Sequence, residues 1–152
     1  MSANGLDVFD KTIQTAHVWL NEIIEQLGAD RQVAWKVLGT VLRALRDRLP
    51  VELAAHLGSQ LPLIIRGAFY DQFTPARQPS DCDTPEEFAA SVAEGLGDTR
   101  LADPDDAIRA VFSVLERHVS EGQLTKVRYA LPRGIRMAWD GADARQVTEA
   151  QI

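Results

Sequence analysis

The sequence has little of the material from which catalytic and metal-binding sites are usually built. It contains one cysteine, Cys82, and three histidines in 152 residues. A single cysteine excludes an intrachain disulfide, which fits a reducing compartment. The acidic neighbours Asp81 and Asp83 should raise the pKa of the Cys82 thiol, and a raised pKa opposes a reactive thiolate. We therefore expect no catalytic cysteine.

Motifs for metal binding and nucleophilic chemistry are also missing. Glu52 and His56 share one face of a helix, but a zinc helix needs a second histidine in that spacing and a further ligand. Asp103, Asp105 and Asp106 lack the glycine and the ligand order of a calcium loop, and helix capping explains them better. No phosphate-binding glycine loop and no Gly-x-Ser-x-Gly motif occurs. We predict a non-enzymatic protein with no catalytic residues, no metal and no cofactor.

Long hydrophobic runs and a positive net charge are absent as well. A membrane-spanning helix needs about 20 apolar residues in a row, and the first residues have neither the basic nor the apolar segment of a secretory signal. The net charge is −6, and nine acidic residues lie between Asp81 and Asp106. Such a surface repels phosphate backbones. We expect a cytoplasmic protein that does not contact a membrane and for which nucleic acid is an unfavourable partner.

An internal repeat with a spacing of 70 positions is the strongest pattern that the sequence contains. Residues 41–45 align with residues 111–115, and residues 61–66 align with residues 131–136. Self-similarity at a fixed spacing indicates a structural unit that occurs more than once. We therefore expect two related halves.

Each half has the apolar spacing of amphipathic helices, with apolar residues three or four positions apart. The clearest stripe in the first half is Val37, Leu38, Val41, Leu42, Leu45 and Leu49. Its copy in the second half is Ala107, Ile108, Val111, Phe112, Leu115 and Val119. No segment alternates with a period of two, so no strand is expected. The sequence predicts an all-α fold of two tandem repeats, about four helices each, packed around a pseudo-twofold axis into one globular bundle.

Composition divides the chain into four segments. The predicted boundaries are 7–73 for the first helical repeat, 74–83 for a linker, 84–140 for the second repeat, and 141–152 for a frayed C-terminal tail. The linker is polar and twice interrupted by proline, and the tail has no apolar stripe. A unit of roughly 60 residues buries only a small core, so each half should depend on the other.

Two leucine–proline elements, at residues 61–62 and 131–132, stand at matching places in the halves. With their flanking residues 45–57 and 119–122, they resemble the prokaryotic domain-of-unknown-function family numbered 2267. The resemblance covers about residues 8–140. It implies an all-helical bacterial protein and carries no catalytic residue across to this chain.

Arg66 and Arg136 occupy the same position in the two copies. One interpretation is structural, with each arginine bound to a helix end or to a carboxylate such as Asp71 or Asp140. The other is a small-anion site at the interface between the repeats. The sequence favours the structural interpretation.

A basic cluster in the second half consists of Lys126, Arg128, Arg133 and Arg136. It is the one feature that favours a nucleic-acid-associated regulator, and it can equally bind an acidic protein surface, for example on another subunit. Residues 52–60 resemble the first helix and turn of a helix-turn-helix. However, residues 61–65 are apolar and are expected in the core, not on DNA.

Trp35 is a further candidate binding residue, because its counterpart in the second copy is the charged residue Asp105. A large apolar residue whose copy is an acid is expected at the surface, where it can mark a partner site. We therefore predict a protein-interaction or adaptor module that binds a protein partner or a second copy of itself. Nucleic-acid binding through the basic cluster and anion binding between the repeats stay as alternatives.

Overall fold

The computed structural model describes residues 5–97 and 103–150, with side chains described as far as residue 141. These residues form helices and connecting turns and contain no strand, so the predicted all-α fold is confirmed. The helices are α1 (Asp7–Leu27), α2 (Arg31–Arg48), α3 (Val51–Ser59), α4 (Leu63–Tyr70), α5 (Pro85–Leu96), α6 (Pro104–His118), α7 (Glu121–Ala130) and α8 (Arg133–Ala150). A 3-10 turn at Pro75–Arg77 separates α4 from α5. Residues 98–102 of the acidic stretch lie outside the described residues.

Side-chain caps fix where several helices begin. Asp30 accepts a hydrogen bond from the backbone N–H of Val33 at 2.9 Å and starts α2. Thr84 and Asp103 cap α5 and α6 in the same way, and each is followed by a proline at the first helical position. Gly28 ends α1 in the left-handed conformation, with φ of 66°.

Helices α2 and α6 lie at the centre of the bundle and pack against each other. The apolar stripes predicted for them are almost wholly buried. Ile65 on α4 and Ile135 on α8 are buried too, and so are Phe69 and Trp139 one turn further on. The core is thus continuous from one half of the chain to the other.

Contacts between the helices occur in matching pairs. Helix α1 packs on α6 while α5 packs on α2, and α1–α4 contact is matched by α5–α8 contact. Helices α3 and α7 pack against each other. This is the pattern of contacts that two similar halves related by a twofold axis would produce.

Two arginines from α2 bind the C-terminal end of α4. Arg43 donates to the carbonyl of Ala68 at 3.1 Å, and Arg46 donates to the carbonyls of Phe69 and Asp71 at 2.7 Å each. The last carbonyls of a helix have no partner within the helix, so these bonds satisfy acceptors that would otherwise be buried unpaired. Arg46 is itself buried and also pairs with Asp47 at 2.8 Å.

The second half has no such arginines, because its last helix does not end at the corresponding place. Ser113 and Glu116 stand where Arg43 and Arg46 stand in the first half. Helix α8 continues to Ala150, past Asp140, where we expected the helix to end and an irregular tail to begin. After Gly141 neither glycine nor proline interrupts the chain, and alanine, arginine and glutamine favour helix without any apolar stripe.

The linker after α4 is held against the C-terminal end of α2. The side-chain amide of Gln78 donates to the carbonyls of Arg46 and Leu49 at 2.8 and 2.7 Å. The backbone N–H of Ser80 donates to the carbonyl of Asp47 at 2.7 Å. The segment predicted as a linker is therefore attached to the core helices by hydrogen bonds.

Replacing Arg46 by methionine should destabilise the fold by about 3 kcal/mol, because the carbonyls of Phe69 and Asp71 would lose their charged donor. Urea unfolding followed by circular dichroism measures this. Arg109→Met is the matched control: Arg109 makes an exposed ion pair with Asp106, and its loss should cost less than about 1 kcal/mol. Equal effects of the two substitutions would contradict the role assigned to Arg46.

Candidate functional site

Five large apolar side chains are exposed where the start of α1 lies beside α4. They are Val8, Phe9, Ile13, Leu63 and Ile64, and we call them the α1–α4 surface. The backbone N–H of Ile64 donates to the hydroxyl oxygen of Thr12 at 3.3 Å, which joins the two helices at this point. Phe9 is 47% exposed and Leu63 is 52% exposed. Clustered apolar exposure of this kind marks interaction sites on soluble proteins.

The α1–α4 surface arises because the apolar stripe of α1 extends further than the core does. Phe9, Ile13, Ala16, Leu20 and Ile23 form one stripe at helical spacing. Ala16, Leu20 and Ile23 are buried, whereas Phe9 and Ile13 lie beyond the helices that cover the rest. The spacing of Phe9 and Ile13 shows in the sequence that they belong to this stripe, but it does not show that the neighbouring helices leave them uncovered.

Helix α4 contributes to the surface for a related reason. Residues 61–65 were expected in the core, and Leu61 and Ile65 are buried there. Leu63 and Ile64 are exposed, so for them the expectation was wrong. The helix begins only at Leu63 and packs through one face, which leaves the side chains of its first turn facing solvent.

Arg66 binds a helix end, as the structural interpretation predicted. Its Nε donates to the carbonyl of Gly58 at 2.9 Å, and its Nη2 donates to the carbonyls of Ser59 and Leu61 at 3.1 and 3.0 Å. These carbonyls lie at the end of α3 and in the turn that follows it. Arg66 also lines a cavity beside the α1–α4 surface.

Arg136 has quite different surroundings. Its guanidinium lies over the ring of Tyr129, with 5.2 Å between the guanidinium carbon and the ring centroid. No contact found among the described residues joins Arg136 to Arg66. The anion site that was considered between these two arginines therefore has no support in their contacts.

Arg128 is part of the basic cluster in the sequence, but in the structure its side chain is partly buried and pairs with carboxylates. It forms ion pairs with Glu116 and, at 3.8 Å, with Asp140, and its guanidinium lies 5.0 Å from the ring centroid of Trp139. The indole N–H of Trp139 donates to the Glu116 carboxylate at 2.8 Å. The Glu116 carboxylate thus pairs with both the indole N–H of Trp139 and the guanidinium of Arg128. Arg128 also packs on the core of the second half.

The rest of the basic cluster stays at the surface. Lys126 and Arg133 are exposed, and between them Tyr129 is 72% exposed. An aromatic side chain of this size would be expected to help fill the junction between the halves, but the exposure of Tyr129 shows that it lies on the outer face of α7. Trp35 is 37% exposed on α2, which agrees with the surface position predicted from its charged counterpart.

The described residues include no cluster of three or more histidine, cysteine, aspartate or glutamate side chains that could hold a metal ion. Burial raises the pKa of the Cys82 thiol, and the Glu87 and Asp83 carboxylates raise it further, while Arg48 acts in the opposite direction. The expected direction is correct, but the main cause is burial and not the neighbouring acids. None of the described helices is both long enough and apolar enough to cross a membrane.

Comparison with known proteins identifies the family. The family model described as "Uncharacterized conserved protein (DUF2267)" matches residues 16–138, most of the chain. The chain therefore belongs to this family, as the leucine–proline elements suggested. None of the curated proteins matches it.

The raised pKa of Cys82 predicts how its alkylation depends on pH. A thiol reacts as the thiolate, so a pKa above the ordinary value of 9.0 moves the midpoint of the rate–pH profile upward. Iodoacetamide labelling followed by mass spectrometry should give a higher midpoint for Cys82 than for N-acetylcysteine. Glu87→Gln should lower that midpoint. A midpoint below that of N-acetylcysteine would show that the pKa of the Cys82 thiol is not raised.

Proposed function

We propose that the protein is a non-enzymatic protein-interaction module, and that the α1–α4 surface is its binding surface. The observation that carries this proposal is the exposure of five large apolar side chains on the first turns of α1 and α4, two helices that pack against each other. Leaving apolar area in water is unfavourable by roughly 25 cal/mol per Å². A partner that covers this surface would recover that free energy.

A second copy of the chain is the partner that this surface fits best. In a twofold dimer the same surface of both copies meets, so Phe9 of one copy can contact Ile13 of the other. The first turns of α1 carry both signs of charge, in Asp7, Asp10 and Lys11. Mixed charges near a twofold contact can pair between the copies, whereas charges of one sign would repel a second copy.

Light scattering coupled to size-exclusion chromatography tests this proposal. The wild-type protein should be dimeric, and Phe9→Asp or Ile13→Asp should make it monomeric, because each would place a carboxylate at the centre of the apolar contact. Val51→Asp is the matched control, since Val51 is exposed on α3, away from the α1–α4 surface. Circular dichroism verifies that all variants keep their helices.

A wild-type protein that stays monomeric at high concentration would overturn the dimer. A dimer that persists in both Phe9→Asp and Ile13→Asp would show that the two copies meet through another surface. Loss of the dimer in Val51→Asp as well would show that the effect is not specific to the α1–α4 surface.

A second candidate function is the binding of single-stranded nucleic acid, and the exposed ring of Tyr129 favours it. Lys126 and Arg133 flank this ring, and Arg136 lies against it. Aromatic rings bordered by cations are used to stack bases, with about 1–3 kcal/mol per base. The net charge of −6 opposes this function, and so does the engagement of Arg128 by Glu116.

Fluorescence anisotropy with a labelled single-stranded oligonucleotide at low salt tests this second candidate. If it is correct, Tyr129→Ala should weaken binding about tenfold, since one stacked base would be lost. Tyr70→Phe is the control, because Tyr70 is on α4, outside the basic cluster. No rise in anisotropy with the wild-type protein would exclude this function.

A further inference from the structure

A cavity of about 470 Å³ lies beside the α1–α4 surface, between the start of α1, the turn after α3 and the end of α6. Both halves of the chain contribute to it. The polar side chains that line it are Lys11, Thr12, Thr15, Ser59, Arg66 and His118, together with the amide of Gln60. The cavity is open to solvent, so a ligand bound there would stay partly exposed.

The charge of this cavity is opposite to that of the whole protein. Lys11 and Arg66 line it, and none of the lining residues is an aspartate or a glutamate, although the net charge of the chain is −6. The nearest acid through a described contact is Glu22, which is held by His118 at 2.8 Å and Arg117 at 3.8 Å. Lys11 forms no ion pair with any residue that the structure describes. Its charge is therefore available to a ligand.

Thr15 and Ser59 already donate their hydroxyl protons to backbone carbonyls, but three other side chains leave donors for a ligand. Arg66 uses Nε and Nη2 on backbone carbonyls, and its Nη1 donates to no described residue. The hydroxyl oxygen of Thr12 accepts from the backbone of Ile64, so its proton is left to donate. Lys11 adds an ammonium group with three donors. A ligand that satisfies these groups must be rich in acceptors and negatively charged.

Arg66 is also held in place before any ligand arrives. Three backbone carbonyls within 3.1 Å fix its guanidinium, so binding would not have to immobilise this long side chain. The apolar side chains Val8, Leu61 and Leu63 also line the cavity, as does the ring of Trp19, which stacks on His118 with 5.0 Å between the ring centroids. The cavity therefore combines hydrogen-bond donors with apolar side chains.

We propose that this cavity binds a small molecule that carries a phosphate or carboxylate group on a compact apolar body. Lys11, Arg66 and Thr12 bind the anionic group, and Val8 and Leu63 contact the apolar part. In this site the second cation beside Arg66 is Lys11, at the start of α1. Arg136, which the repeat suggested as the partner of Arg66, takes no part in it. The cavity shares Val8 and Leu63 with the α1–α4 surface, but Phe9 and Ile13 do not line it, so substitutions at Phe9 and Ile13 test dimerisation without removing a ligand contact.

Titration by ¹H–¹⁵N NMR with phenyl phosphate, benzoate and inorganic phosphate, at an ionic strength held constant with sodium chloride, tests the site. Phenyl phosphate or benzoate should give saturable shifts of Lys11, Thr12, Leu63 and the indole N–H of Trp19. Whichever of these two binds more tightly identifies the anionic group. Inorganic phosphate should bind more weakly than phenyl phosphate, because it leaves the apolar wall uncovered.

Lys11→Gln should weaken the binding of phenyl phosphate about tenfold, as expected for the loss of a charge-assisted hydrogen bond. Lys36→Gln is the matched control: it makes the same change of charge at an exposed position on α2 and should leave affinity unchanged. Thr12→Val should weaken binding while keeping the net charge. Thermal unfolding verifies that each variant is folded.

Shifts that do not saturate, or that sodium chloride alone reproduces, would overturn the site. Equal affinities of the wild-type protein and Lys11→Gln for phenyl phosphate would also overturn the site. If Phe9→Asp is monomeric and still binds phenyl phosphate, the ligand site is distinct from the dimer contact. A monomeric protein that still binds phenyl phosphate would overturn the proposed self-association and leave the cavity site standing.

Discussion

The packing of α2 against α6 is the constraint on which the rest of the molecule depends. Each of these helices buries a nearly continuous apolar stripe, and one comes from each half of the chain. Each central helix packs on helices of its own half and on helices of the other half. The remaining helices are arranged around this pair, so that α1 covers α6 and α5 covers α2.

The two halves differ mainly where one helix ends and its counterpart continues. Because α4 ends at Tyr70, its terminal carbonyls need donors, which Arg43 and Arg46 supply from α2. Because α8 runs on, Ser113 and Glu116 suffice at those positions, and Glu116 binds Trp139 and Arg128 instead. A change of charge between matching positions thus follows from a change in helix length.

The sequence was a good guide to elements whose signals are local. Apolar periodicity located α2 and α6, and the capping residues Thr84 and Asp103 located the starts of α5 and α6. The continuation of α8 was missed because it depends on helix propensity without an apolar stripe. The exposure of Phe9 and Ile13 was missed because periodicity shows which face of a helix is apolar and does not show how far its neighbours extend.

Prediction of the candidate site was limited for a different physical reason. Arg66 was identified from its repetition, but its partners are backbone carbonyls, which every residue has and no motif marks. Lys11 and His118 lie far apart in the sequence and meet only when α1 packs on α6. No local pattern could place them at one cavity.

The way α1 and α2 are covered also has a consequence for synthesis. The chain is made from its N-terminus, and domains usually fold as they emerge from the ribosome. Here α1 and α2 pack on each other and on α4, but they also pack on α6 and α5, which are translated later. The part of the apolar surface that α6 and α5 cover therefore stays in water until those helices are made, and during that interval the nascent first half is exposed to aggregation.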